Sequence, residues 1–371
     1  MRFPKFPAVV LVLTLALAAC GTPAEGPQAE VPGPEAPKAN VYVYVLSNTS
    51  PHITEIDAET HEVVRTADVP ELNQKQWGWV DNNNYFDGVN LWAGVIDLDP
   101  EESIMSRDPD TGGDSTILLI NLDTLQVTEE ISVGPEKFWL YIGKPTEDGR
   151  LFVGKHGAWQ MAIIDTNTHE VLEYVDVPVP APEEEGSIFW ATCDADISIG
   201  PDGVERVFYP TWQGNTVVSL DSSSGETLSI ADLPETGPVM LSTAPDGTVW
   251  VQEVATNTNA VFNPVTLDLL ARFTTGKFPS DVSFSPDGKL GYVTGGDTAV
   301  TVVDAENYRV LRKVEVGANA GRAAAHPNGE LLYVFVSEEN SVAVVDTSSW
   351  QVIKRIDIGT SPTGLFLRAG P

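Results

Sequence analysis

The chain has 371 residues, 53 of them Asp or Glu against 21 Lys or Arg, for a formal net charge of −32. That length fits one large repeat domain or two ordinary ones. So negative a surface repels nucleic-acid phosphates and anionic lipid headgroups, which argues against both as partners, while it favours solubility and could attract cations or a basic protein.

Residues 1–19 begin with a basic stretch (Arg2, Lys5) and continue as an apolar run, Ala8 to Ala19, too short to span a bilayer comfortably. The run closes on Leu17-Ala18-Ala19-Cys20-Gly21, which resembles the lipobox of bacterial lipoproteins. The resemblance implies a signal peptide over 1–19, lipid on Cys20, and export to the cell envelope. The lack of Asp after Cys20 leans towards the outer membrane or cell surface. An ordinary secretory signal with a chance cysteine is the other reading. Several acyl chains anchor firmly where one holds only marginally. Residues 20–40 carry Pro at 23, 27, 32, 34 and 37 and read as a stiff, extended tether. The one other cysteine, Cys193, has no partner for an intrachain disulfide once Cys20 carries lipid, and it reads as a small buried hydrophobe.

From Val41 onward one pattern repeats. Asp or Asn is followed by Ser, Thr or Asn three residues later and, in most copies, an apolar residue three beyond that: Asp57, Asn121, Asp165, Asp221, Asn263, Asp304 and Asp346 head the seven copies. A carboxylate or amide there can accept from amides two or three residues on and close a tight hairpin. Period-two apolar alternation flanks each turn, as in Thr301-Val302-Val303 and Val310-Leu311-Arg312-Lys313-Val314, and predicts strands. A Pro-x-Gly turn recurs every 41 residues, at Pro245, Pro286 and Pro327. Four short strands on such a period predict propeller blades, so seven copies predict an all-β, seven-bladed β-propeller over residues 41–371. The first copy opens in the manner of a second strand (Val41 to Tyr44), and the last ends in the manner of a first (Thr363 to Leu367). The C-terminal strand should therefore complete the N-terminal blade and close the ring.

Tyr292-Val293-Thr294-Gly295, with the Val-Val-Asp and Val-Gly elements downstream, resembles the YVTN-repeat family of seven-bladed propellers. The likeness covers residues 41–370 and is strongest from 237. It implies kinship of fold with quinoprotein amine dehydrogenase heavy chains and propeller lactonases. It is nearly silent on chemistry, because one fold hosts unrelated functions.

Propellers usually bind ligands where the loops leading into the innermost strands meet the loops between strands two and three. Alignment on the Pro-x-Gly turn puts Asp81, Asp196, Asp281 and Arg322 at one shared position there, with Leu140, Met240 and Gly364 in the remaining blades. Aromatic residues precede them: Trp77 and Trp79, Phe138 and Trp139, Phe189 and Trp190, and Phe278. The second set of loops adds His52, His156, Trp159 and Trp212. Together Trp77, Trp79, Asp81, Trp139, His156, Trp190, Asp196, Asp281 and Arg322 form a candidate ligand-binding mouth, an aromatic wall with a few polar groups. The competing architectural reading wedges the tryptophans between blades and pairs the acids with Arg322 or water. Two insertions, residues 99–114 and 179–189, are expected on the same face.

Asp108, Asp110 and Asp114 match a calcium loop only loosely, lacking the fifth-position oxygen and the distal glutamate; a solvated acidic loop is the simpler reading, with Ca²⁺ the sole cofactor candidate. The sequence has no C-x-x-C-H, no G-x-S-x-G and no H-E-x-x-H, and its five histidines show no metal-ligand spacing, so no metal site is assigned. His61 and His169, on strand turns, read as surface residues. The expectation is a monomeric, surface-tethered propeller that binds a small ligand or an envelope or secreted protein without catalysis. It would touch the membrane only through the lipid on Cys20. The alternative is an enzyme: a lactonase-like hydrolase using the mouth carboxylates, or a quinoprotein-type dehydrogenase heavy chain whose cofactor sits on another chain.

Overall fold

The computed structural model describes residues 40–47, 52–72, 75–77, 85–97, 114–135, 140–155, 159–179, 192, 194–359 and 362–369. The seven Asp and Asn turns behave alike. In each, Oδ1 of Asp57, Asn121, Asp165, Asp221, Asn263, Asp304 or Asp346 accepts the amides two and three residues on, at 2.7–3.2 Å. The residue four past it is left-handed every time: His61, Leu125, His169, Gly225, Leu267, Tyr308 and Trp350 have φ between 55° and 69°. These turns join the third and fourth strands of seven four-stranded antiparallel sheets.

The blades are numbered I to VII by their second strands, Val41–Ser47, Asn90–Asp97, Arg150–Lys155, Glu205–Thr211, Val249–Glu253, Leu290–Gly295 and Leu331–Val336. Blade VI is typical, with strands Pro279–Phe284, Leu290–Gly295, Ala299–Asp304 and Arg309–Glu315 from the axis outward. Blade I is built from both ends of the described chain. Pro362–Ala369 is its inner strand, paired antiparallel to Val41–Ser47 with Val43 opposite Leu367. The predicted closure by the C-terminal strand is thus the observed one. Tyr44 stacks on Phe366 at 5.2 Å, and the Tyr333 hydroxyl donates to the Ala58 carbonyl at 2.7 Å, tying blade VII to blade I.

One aromatic per blade holds the ring together. Tyr44, Trp92, Phe152, Phe208, Trp250, Tyr292 and Tyr333 stand at the same level of the second strand, and all are buried. Each belongs to a core cluster shared with the next blade around the ring. The left-handed turn residue of that next blade often plugs the same gap. His169 meets Trp92 at 5.1 Å, Tyr308 meets Trp250 at 6.0 Å, and Trp350 meets Tyr292 at 6.3 Å. His61 packs on Tyr333 at 6.1 Å. The two histidines read as surface are therefore half-buried wedges. A bulky side chain in this conformation costs about 1–2 kcal/mol, and burying it against a ring offsets that cost.

Outer strands such as Arg309–Glu315 and Gln351–Asp357 are mostly exposed and carry Arg312, Lys313, Lys354 and Arg355. Charge along an outer edge discourages pairing with a second sheet.

Candidate functional site

The inner strand of each blade is a sheet edge turned towards the axis, so its outward amides need acceptors from elsewhere. Blade IV supplies two for blade V. Asp194 Oδ2 accepts the Leu241 amide at 3.2 Å, and Asp196 Oδ2 accepts the Thr243 amide at 2.8 Å. Residues 194 and 196 share a side because strand side chains alternate, and they therefore match alternate amides on the neighbour. Asp196 also accepts Thr243 Oγ1 and the Ile197 amide, both at 2.8 Å. From the other side Lys144, on the blade III inner strand Leu140–Pro145, brings Nζ to 3.2 Å from Asp196 Oδ1. Gly143 allows this approach: a Cβ there would sit 2.1 Å from the Ala195 carbonyl oxygen.

Asp281 and Arg322 form the second constellation. They occupy matched positions on the inner strands of blades VI and VII and pair at 3.0 Å, Nη1 to Oδ1, with side chains 3% and 1% exposed. Blade VI also reaches blade VII through Thr294 Oγ1, which donates to the Gly321 carbonyl at 2.8 Å. The three described residues of the predicted polar set are thus buried between neighbouring blades. Arg322 pairs with Asp281, while Asp196 is held by Thr243 and the Ile197 amide and contacted more loosely by Lys144, which sequence reasoning did not single out.

The aromatic part of the predicted mouth lies largely outside the described residues: Trp79, Asp81, Trp139, His156 and Trp190 fall there, as do Cys193 and most of both insertions. Trp77 ends the short strand Lys75–Trp77, its backbone opposite Val95. Blade II then bridges again at Phe86, opposite Leu91, so nine positions separate Trp77 from Phe86. Blade VI covers the same interval in five, from Pro279 to Phe284. Of the second loop set, His52 is buried, and the Trp159 indole N–H donates to the Val179 carbonyl at 2.6 Å. Trp212 packs on a buried cluster of Tyr141, Val239, Met240 and Val254.

A cavity of about 560 Å³ lies on the axis, lined by the later halves of the inner strands of blades V, VI, VII and I. It sits towards the Pro-x-Gly turns, with Pro245 and Pro327 in its wall, and not at the face where the mouth was expected. Its polar lining is Lys144, Ser242, Thr243 and Ser283, and its apolar lining includes Phe86, Val282, Phe284, Phe366 and Leu367. A concave, mixed lining with a few fixed polar groups is what small-ligand sites have. The signal available in the sequence was a lone lysine within an otherwise uncharged inner strand, Leu140-Tyr141-Ile142-Gly143-Lys144-Pro145. Among the described residues no cluster of three or more His, Cys, Asp or Glu is placed to hold a metal ion.

No family model matches the chain, and no curated protein does. Solved structures do. A candidate 6-phosphogluconolactonase from Bacteroides fragilis aligns over 91% of this chain and 100% of its own, at 16% identity and a TM-score of 0.64. A second, from Bacteroides uniformis, covers 89% and 100% at 14% identity and 0.65. Apo AztD from Citrobacter koseri covers 90% and 99% at 11% identity and 0.60. Identities this low establish a common fold: the chain is a seven-bladed β-propeller of the architecture these proteins share.

Proposed function

We propose that this chain is an exported, lipid-anchored propeller whose axial cavity binds a small ligand, with the protein acting as a binding module. The observation that carries this reading is the 560 Å³ cavity with its ammonium, hydroxyl and aromatic lining. The N-terminal basic and apolar segments, Cys20 and the proline-rich stretch support the anchored state. A thermal-shift screen against metals, sugars, lactones and organic acids tests the binding reading. A hit should raise the melting temperature of the wild type and not of Ala325→Phe, a half-buried lining position filled by a larger side chain. A hit indifferent to that change would place the ligand elsewhere. Membrane partition tests the anchor: wild type should stay with membranes through a salt wash, whereas Cys20→Ala should remain unprocessed or leave the lipid-anchored fraction.

A second reading, a lactonase-like hydrolase, is favoured by the likeness to two Bacteroides proteins described as candidate 6-phosphogluconolactonases. Turnover of a lactone by purified protein, abolished by Asp196→Asn, would favour it over simple binding.

A further inference from the structure

We infer that the axial cavity takes a small organic anion, a carboxylate on an apolar body, with Lys144 as its charge partner. This rests on the cavity being the ligand site.

Lys144 is not the main support of Asp196. That carboxylate is wholly buried, yet three donors already satisfy it at 2.8 Å: the Thr243 amide, Thr243 Oγ1 and the Ile197 amide. Lys144 approaches it at 3.2 and 3.4 Å, longer than the about 2.7–2.9 Å of a well-made charge-assisted bond. The lysine side chain stays 47% exposed and lines the cavity. An ammonium has three donors, so a loose contact with one carboxylate leaves capacity for a second acceptor.

Ser283 adds an independent observation. It is 8% exposed, lines the same cavity from blade VI, and its Oγ has no hydrogen-bond partner among the described residues. A buried hydroxyl is normally paired, and a ligand oxygen would pair this one. The remaining wall fixes the rest of the ligand. Phe86, Val282, Phe284, Phe366 and Leu367 suit an apolar body, and among the described residues Lys144 is the one ionisable lining residue. The ammonium already faces Asp196, so a ligand carboxylate would share it through the donors that this loose contact leaves over.

Calorimetry with benzoate and its uncharged isostere benzamide tests this on the full chain. Wild type should bind benzoate at one site, with benzamide weaker by about tenfold or more, and added salt should erode the difference. Lys144→Met should abolish the preference and Lys144→Arg should keep it. Should Lys144→Met fail to fold, Ser283→Ala carries the test, because it removes a hydroxyl with no partner among the described residues: benzoate should weaken several-fold at an unchanged melting temperature. Failure to bind benzoate, equal binding of benzamide, or a preference that survives Lys144→Met overturns the inference. Benzamide binding that Ala325→Phe blocks would overturn only the choice of an anion, whereas binding of both compounds unaffected by Ala325→Phe would remove the cavity reading as well.

Discussion

Arg322 and Asp281 are both almost wholly removed from solvent and pair with each other. Removing one member of such a pair typically costs about 3–5 kcal/mol, because the survivor is left buried and uncompensated. Arg322→Met should therefore lower the melting temperature strongly, and adding Asp281→Leu should recover much of the loss. A double mutant as unstable as the single would show that the pair's worth lies in packing instead of charge. The turn acids offer a different test. Hydrogen bonds from the Ser348 hydroxyl first, then from the Ser349 amide, hold Asp346 at about 2. A folded-state value below the ordinary 3.8 means that the unfolded chain binds more protons in acid. The stabilisation is present above pH 3.8 and is lost as the pH falls towards 2. Asn121 and Asn263 make the same turn without a charge, so Asp346→Asn should keep the fold and flatten the acid limb of the stability curve. Acid titration of both proteins by circular dichroism reads this directly.

At the scale of strands and turns, the hairpin acids were legible because their chemistry is local: a side-chain oxygen and two amides within three residues. The left-handed residue that follows was not. It is His, Leu, Gly, Tyr or Trp in different blades, and what the seven share is a dihedral angle, with no common side chain. Its selection comes from the neighbouring blade, which sequence spacing does not display. The aromatics answer the question of packing against pocket in part. Packing between wedge-shaped blades calls for an aromatic at each interface, and the second-strand set from Tyr44 to Tyr333 supplies it. Trp250, packed against Phe273, Phe284 and Tyr308, represents that set. Trp250→Ala should cost about 3–5 kcal/mol, as for other buried aromatics, measured by denaturant unfolding. A loss under about 1 kcal/mol would mean that the blades do not depend on this wedge. The axial cavity was not legible in this way: Asp196, Asp281 and Arg322 do not line it. Shared register marked Asp196, Asp281 and Arg322, but the partnership of Asp196 with Lys144 crosses from blade IV to blade III, 52 residues away in sequence. Only the close approach at Gly143 makes it possible.

For the whole molecule, closure is the property that the sequence pattern and the structure agree on most directly. Deleting residues 360–371 removes the inner strand of blade I, with Leu365 and Phe366 from the core, and bares the edge of Val41–Ser47. Strong destabilisation or aggregation is expected, whereas deleting residues 21–38 should leave the melting temperature nearly unchanged. A C-terminal truncation that melts like the full chain would contradict the closed ring. The ring also concentrates inner-strand edges on one axis, which is why buried carboxylates, an ammonium and the Ser283 hydroxyl collect there in a protein with a net charge of −32. The most direct measurement is the anomalous difference map of crystals grown with 4-bromobenzoate. One bromine peak is expected within the axial cavity near Phe284 and Phe366, with the carboxylate in hydrogen-bond reach of Lys144 Nζ. A bromine peak at the opposite face or between two blades, with the axial cavity holding only water, would contradict it.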